Sequence, residues 1–309
     1  MEVQLWTPAQ TTQNNPERFI ERCARVAYRS EEKMTDDSYK GFIERVVVKN
    51  RDHSVCEHAA YVVDYIGLTP EKLLRLLAIN PLIPWWGLRD GYRLLINGRQ
   101  ALELANSLEA VALPILRSLQ GYFPTLLADN TWIDNGYDDL GFLYTHPAHT
   151  PLPSEYGTSD HTLMTFFIKG VSRVTETQWV RHRRMSFTVM SGRGVDVREQ
   201  GVVIPPTFEP LKNTFPNDYE AIKFTIERCK GTYAQLRDFH KIPRQDARYL
   251  QPQGTATEMV VSSTVTWWNY FWGLRSVKPA QWEVMNFSRA TQKIGHELYP
   301  HWVSSPPID

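Results

Sequence analysis

Six basic residues fall within the 22 positions of Ser172–Arg193 (SRVTETQWVRHRRMSFTVMSGR): Arg173, Arg181, His182, Arg183, Arg184 and Arg193. The chain as a whole balances 34 Lys and Arg against 34 Asp and Glu, so charge this dense is not a general solubility device. Guanidinium forks grip phosphate or carboxylate through paired hydrogen bonds. The interleaved apolar residues, among them Trp179, Met185, Phe187 and Val189, would exclude water and strengthen each contact. Thr188 and Ser191 add hydroxyls. The pattern points to a partly buried anion site, and the alternative use of such a run is a basic helix face paired with surface carboxylates.

Arg181-His182-Arg183, seven residues, then Ser191 resembles the signature of the flavin-dependent thymidylate synthases, the ThyX family. Its flanks are similar too: Gly170-Val171-Ser172-Arg173 and Gln178 before it, Ser191-Gly192-Arg193 closing it. Three more blocks recur in the family's order. They are Ser54-x-x-Glu57-His58 ahead of an apolar strand, Ala247-Arg248-x-x-x-Pro252, and an aromatic stretch ending Leu274-Arg275 with Ala280-Gln281-Trp282-Glu283 downstream. The resemblance covers most of residues 16–66 and 161–300.

That resemblance implies C5-methylation of dUMP to dTMP. 5,10-Methylenetetrahydrofolate would supply the carbon, reduced FAD the hydride, and NADPH would regenerate the flavin. It also implies a homotetramer with sites between subunits. By the family's roles, Ser191, Gly192, Arg193 and Arg248 cradle the 5′-phosphate, and Gln178 and Arg181 complete the nucleotide site. Arg275 is the catalytic residue, a guanidinium aimed where negative charge builds on the uracil N3 and O4. Ser54, Glu57, Arg181, His182, Arg183, Val189, Thr264 and Tyr270 fall at flavin positions. Trp268 and Trp272, near Arg275, are candidates for stacking on flavin or folate.

The chain also departs from the family. Thr188-Val189 replace an Asn or Ser followed by an acidic or amide residue, and Arg193-Gly194 replace Arg-Tyr. Thr264 and Tyr270 stand for asparagines, Pro279 for a histidine, and Asp52 for a histidine ahead of Ser54. The side chain of Val189 cannot hydrogen-bond a sugar or flavin hydroxyl. These changes leave open UMP or another pyrimidine nucleotide as substrate, a hydroxymethyl product, a relative that has lost flavin, or a non-enzymatic nucleic-acid-binding module built on the RHRR run.

Several chemistries find no support. A neutral chain with pI near 7.1 lacks the basic surface that displaces counterions from nucleic acid. Cys23, Cys56 and Cys229 have no CxxC spacing and read as small buried hydrophobes. None sits in the Pro-Cys-His loop of conventional thymidylate synthases. No GxGxxG turn follows a strand. The histidine pairs His53/His58 and His146/His149 lack a third ligand, so no metal is expected. The N-terminal residues show no basic segment followed by an apolar one, and no run of about 18 apolar residues occurs. A soluble, cytoplasmic protein without membrane contact is expected.

The positioning elements follow from periodicity. Strands are expected at 1–6, 59–66, 161–169 and 258–264, and helices at 16–29, 218–239 and from Pro279 to about Tyr299. A helix from Ser172 to about Arg184 would carry Gln178, Arg181 and Met185 on one side. Leu68–Ile79 and Arg99–Gln120 read as helices, the second kinked or divided at Pro114. The Trp- and Pro-rich 81–93 separates them, and 123–156 reads as loop. The expected fold class is α+β: a central, mostly antiparallel ThyX-like sheet flanked by helices, in a single catalytic domain over 1–309. Residues 67–160 form a helical and loop insertion in it.

Overall fold

Two four-stranded antiparallel sheets carry the chain in a computed structural model that describes residues 1–128, 142–149, 159–198 and 200–307. The first sheet orders β1 (Glu2–Trp6), β6 (Leu163–Ser172), β8 (Ala256–Thr264) and β7 (Ser186–Val189) side by side. Leu163 through Ile168 are all buried, because both faces of β6 are covered. The two-residue strand period sends Phe167 into one apolar core and Met164, Phe166 and Ile168 into the other. Gly170, at φ +81, sits where the β6–β8 register shifts between Lys169 and Val171; a side chain would be strained in that conformation.

The second sheet orders β3 (Trp85–Leu88), β4 (Gly91–Asn97), β2 (Ala60–Ile66) and β5 (Phe142–Pro147). Residues 67–160, read from sequence as helix and loop, therefore supply three strands. The β3–β4 hairpin turns at Arg89-Asp90, and Asp90-Gly91 between apolar residues is a strong hairpin signal that the tryptophans and prolines obscured. Gly91 is obligatory there, since a Cβ would meet the Tyr65 carbonyl oxygen at 2.1 Å. β5 corrects part of the loop expected over 123–156; residues 129–141 and 150–158 of that stretch lie outside the described residues.

The helices mostly follow their caps. Thr7 caps α1 (Pro8–Thr12) and Asn15 caps α2 (Pro16–Arg25). After α3 (Ser38–Phe42) come α4 (Pro70–Ile79) and α5 (Gly98–Ser107), the latter closed by a capping box between Asn97 and Gln100. The expected 99–120 helix breaks at left-handed Leu108, and Pro114 sits in the first turn of α6 (Leu113–Leu119) rather than at a kink. The C-terminal half continues with α7 (Arg173–Trp179), α8 (Leu211–Thr214), α9 (Pro216–Asp238), α10 (Arg244–Ala247), α11 (Val265–Arg275) and α12 (Trp282–Leu298). No described helix is long and apolar enough to cross a membrane. Tyr233 alone is buried in α9, and Phe224 on it is 67% exposed. Cys23 and Cys56 are buried as expected, but Cys229, on this uncovered helix, is half-buried.

A buried polar chain joins the sheets. His58 bonds Ser262 Oγ through Nδ1 at 2.7 Å and Thr188 Oγ1 through Nε2 at 2.8 Å. Ser262 Oγ bonds Thr165 Oγ1 at 2.6 Å, and Thr165 meets His149 Nε2 at 3.1 Å. Among the described residues no group of three or more His, Cys, Asp or Glu could hold a metal; both these histidines serve the seam. Burial lowers the pKa of each to about 3. The unfolded chain therefore binds protons that the folded chain refuses, and stability falls as pH drops from about 6.5 toward 3. We expect up to about 1.4 kcal/mol per pH unit from each histidine. Denaturant melts at pH 7, 6 and 5, above the carboxylate range, check this; equal stability at the three values would contradict the neutral seam.

Candidate active site

The motif's basic residues do not ride on a helix. α7 stops at Trp179, and two turns follow, closed by His182 N–H to the Trp179 carbonyl (2.9 Å) and Met185 N–H to the His182 carbonyl (3.0 Å). Phe187, Thr188 and Val189 then pair with β8, where β-branched and aromatic residues are favoured. Trp179 and Met185 are buried at either end. Between them Arg181, Arg183 and Arg184 are exposed and His182 half-buried. The helical expectation for Arg181 and Met185 fails because the sheet competes successfully for the segment after the turn.

These turns face the C-terminal end of α11 across a cavity of about 330 Å³. Arg181, His182, Arg183 and Arg184 line it together with Tyr270 and Arg275, and no carboxylate does. Arg275 Nε–H donates to His182 Nε2 at 3.3 Å, which requires an unprotonated acceptor. Burial, and then the charge of Arg275, hold the His182 pKa below its usual value. Arg184 lies over the Trp267 ring at 5.4 Å. Such a cavity suits a planar anion. Trp268 and Trp272, considered above as stacking platforms, are instead fully buried and donate their indole N–H groups to Met164 O and Thr291 Oγ1. Trp267 and Tyr270 are the aromatics that line the cavity.

A second group gathers at the other end of β7. Ser191 N–H donates to the Ala27 carbonyl at 2.7 Å, and Ser191 Oγ accepts from Arg193 N–H at 3.2 Å. A Cβ on Gly192 would lie 3.3 Å from Arg248 Cδ and 3.7 Å from Arg173 Nη2. Arg173 is already paired with Glu176 at 2.6 Å; Arg193 and Arg248 are exposed. β7 is antiparallel to β8, with Ser186 opposite Ser262 and Val189 opposite Met259. At about 3.3 Å per residue, the turn end at Met185 and the Ser191 end are roughly 20 Å apart.

The remaining site residues divide. Glu57, Arg183 and Thr264 line a cleft of about 170 Å³ between the two sheets. Glu57 accepts from Arg99 Nη1 and from Ser186 Oγ, both at 2.7 Å. Ser54 is exposed, and its hydroxyl donates to Asp52. Gln178, in the last turn of α7, and Val189, packed against the core, line neither hollow. Sequence reasoning gave Arg184 and Arg99 no place in the site, and ranked Trp267 behind Trp268 and Trp272 for stacking. The first belongs to the basic run and was visible there; Arg99 had no signal, because its place depends on the second sheet.

Residues 153–301 match the family model described as thymidylate synthase complementing protein. That stretch is a little under half of the chain. Flavin-dependent thymidylate synthases from Thermococcus onnurineus and Pyrococcus abyssi are 32% and 33% identical to it, each alignment covering 44% of this chain. The chain spans 56% and 57% of those relatives, little more than half. The structure of Thymidylate Synthase X (ThyX) from Helicobacter pylori with FAD and dUMP aligns at 21% identity and TM-score 0.37, over 47% of this chain and 73% of that one; so remote a likeness places no ligand here. A Cβ at Gly194 would meet Tyr28 Cδ1 at 2.4 Å, so a side chain at this position would have to displace the ring of Tyr28.

Proposed function

We propose that the chain is a flavin-dependent enzyme methylating a pyrimidine nucleotide at C5, with dUMP as the first substrate. The observation that carries the reading is the cavity with four arginines and no carboxylate in its lining. Arg275, held by His182, would stabilise negative charge on the uracil N3 and O4 as C5 attacks. Arg181 would bind the same ring or its sugar, with Gln178 behind it. Ser191, Gly192, Arg193 and Arg248 would cradle the 5′-phosphate. Because that cradle lies at the far end of β7, one nucleotide would be completed between two copies of the chain. The uncovered α9 supports such an assembly, which we take to be a homotetramer.

FAD fits the residues present. Thr264 Oγ1 is buried without a hydrogen-bond partner among the described residues, in the cleft beside Glu57 and Arg183. Arg181, His182 and Arg183 would favour an anionic reduced ring, and Tyr270 would border it. Bound FAD would supply the hydride, NADPH would reduce the flavin again, and methylenetetrahydrofolate would be the carbon donor. Ser54 and Val189 complete the family's flavin positions. We take residues 1–309 as one catalytic domain in which 67–160 is an insertion, and the protein as cytoplasmic. Val189 offers no side-chain hydrogen bond and favours a second reading, in which the nucleotide is UMP or another pyrimidine nucleotide, or the product carries hydroxymethyl.

Mass analysis of UMP, dUMP and dCMP incubated with the protein, methylenetetrahydrofolate, FAD and NADPH tests both readings. We expect yellow protein and methylated dUMP. Colourless protein that takes up no FAD and alters none of the three nucleotides would overturn the proposal. Affinity for nucleic acid that falls steeply with salt would favour a binding module instead.

A further inference from the structure

The inserted segment forms one wall of the cleft between the sheets. Asn80, Asn97 and Arg99 line it from that side, and Arg184, Thr264 and Trp267 from the other. Arg184 and Trp267 also line the arginine cavity, so the cleft adjoins the space proposed for the flavin ring.

Four features mark the cleft as a seat for an anion. Arg99 donates through Nε to Glu103 at 2.9 Å and through Nη1 to Glu57 at 2.7 Å. The two carboxylates fix its fork and leave its second amino group without a partner among the described residues. Arg183 and Arg184 have no carboxylate partner among those residues, so the cleft keeps a positive excess over Glu57. Thr264, 7% exposed, presents a buried hydroxyl with its hydrogen bond unmade, a group that a ligand oxygen would satisfy. α5 also begins at this wall, and its N-terminal end adds partial positive charge.

We propose that this cleft holds the phosphate-bearing tail of the flavin nucleotide, with one cation from each wall: Arg99 of the insertion and Arg184 of the motif turn. The inference rests on the flavin reading of the arginine cavity. It makes Arg99, which lies outside the stretch shared with the family model, part of the cofactor site. Planar guanidinium groups bind phosphate oxygens in pairs, and two converging on one tail would discriminate flavins by the phosphates they carry beyond the ribityl chain.

Titration of the cofactor-free protein with FAD, FMN and riboflavin, monitored by flavin fluorescence, tests this in wild type, Arg99→Ala and Arg184→Ala. Wild type should bind FAD at least tenfold more tightly than riboflavin, and each variant should lose at least tenfold in FAD affinity with its melting temperature kept. FMN affinity lost alongside FAD would assign the contact to the phosphate next to the ribityl chain, and FMN affinity retained would assign it to the distal one; both support the proposal. Equal wild-type affinity for FAD and riboflavin, or FAD affinity unchanged in both variants, would overturn it. So would losses that track lost thermal stability in both variants. If Arg99→Ala fails to fold, Arg184→Ala, in an exposed turn, carries the measurement. Wild-type protein that binds none of the three flavins overturns the flavin reading itself, an outcome distinct from these.

Discussion

Arg275→Ala is expected to lower turnover of dUMP by roughly 10²–10³, the usual cost of removing a fixed donor from a developing oxyanion, while FAD still binds. The side chain leaves the end of α11 half-buried and is oriented by His182, so on the proposed reading its charge would be in place before the uracil becomes electron-rich. Prepositioning of that kind lowers the barrier without reorganisation, which is why the loss should appear in the chemical step rather than in binding. Arg275→Lys should recover little, because an ammonium offers a point charge in place of a planar fork. Single-turnover measurements with flavin already reduced check this, and turnover within about threefold of wild type would remove Arg275 from the chemistry.

Trp179→Ala should cost about 3–5 kcal/mol of stability. Trp179 is fully buried and meets Phe271 edge-on at 4.8 Å, with Trp268 and Phe287 at 6.3 and 6.4 Å. It ends α7 just before Arg181, so a collapsed cavity there would also let the basic turn drift. Trp179→Phe should cost much less than the alanine, since the indole N–H makes no hydrogen bond among the described residues and its loss leaves nothing newly unpaired. Urea melts of the two variants measure the contrast. Equal destabilisation by Phe and Ala would show that ring volume is not what Trp179 contributes.

The sequence carried the first sheet and the arginine cavity unevenly. β6 and β8 were legible because their apolar runs are long and buried on both faces. The neighbourhood of Arg181, His182 and Arg275 was legible through motif blocks that the fold brings to one cavity. The turn from Val180 to Met185 was not, since its residues also suit a helix and only pairing of Phe187–Val189 with Val261–Met259 decides against one. The second sheet was missed for a related reason: β3 and β5 expose much of their length, so no apolar alternation announces them. Arg99 could be placed only once Glu57 and Glu103 were known to converge on it.

Joining that second sheet changed the standing of β2. Ala60–Ile66 accepts β4 along one side and β5 along the other, and both partners come from between residues 67 and 160. Deleting β4 and β5 would strip a seven-residue, largely apolar strand of both neighbours at once. Bare edges of that kind recruit other chains. β4 and β5 are therefore tied into the polypeptide's solubility as well as its shape, and their loss could not be neutral unless β2 were rewritten at the same time.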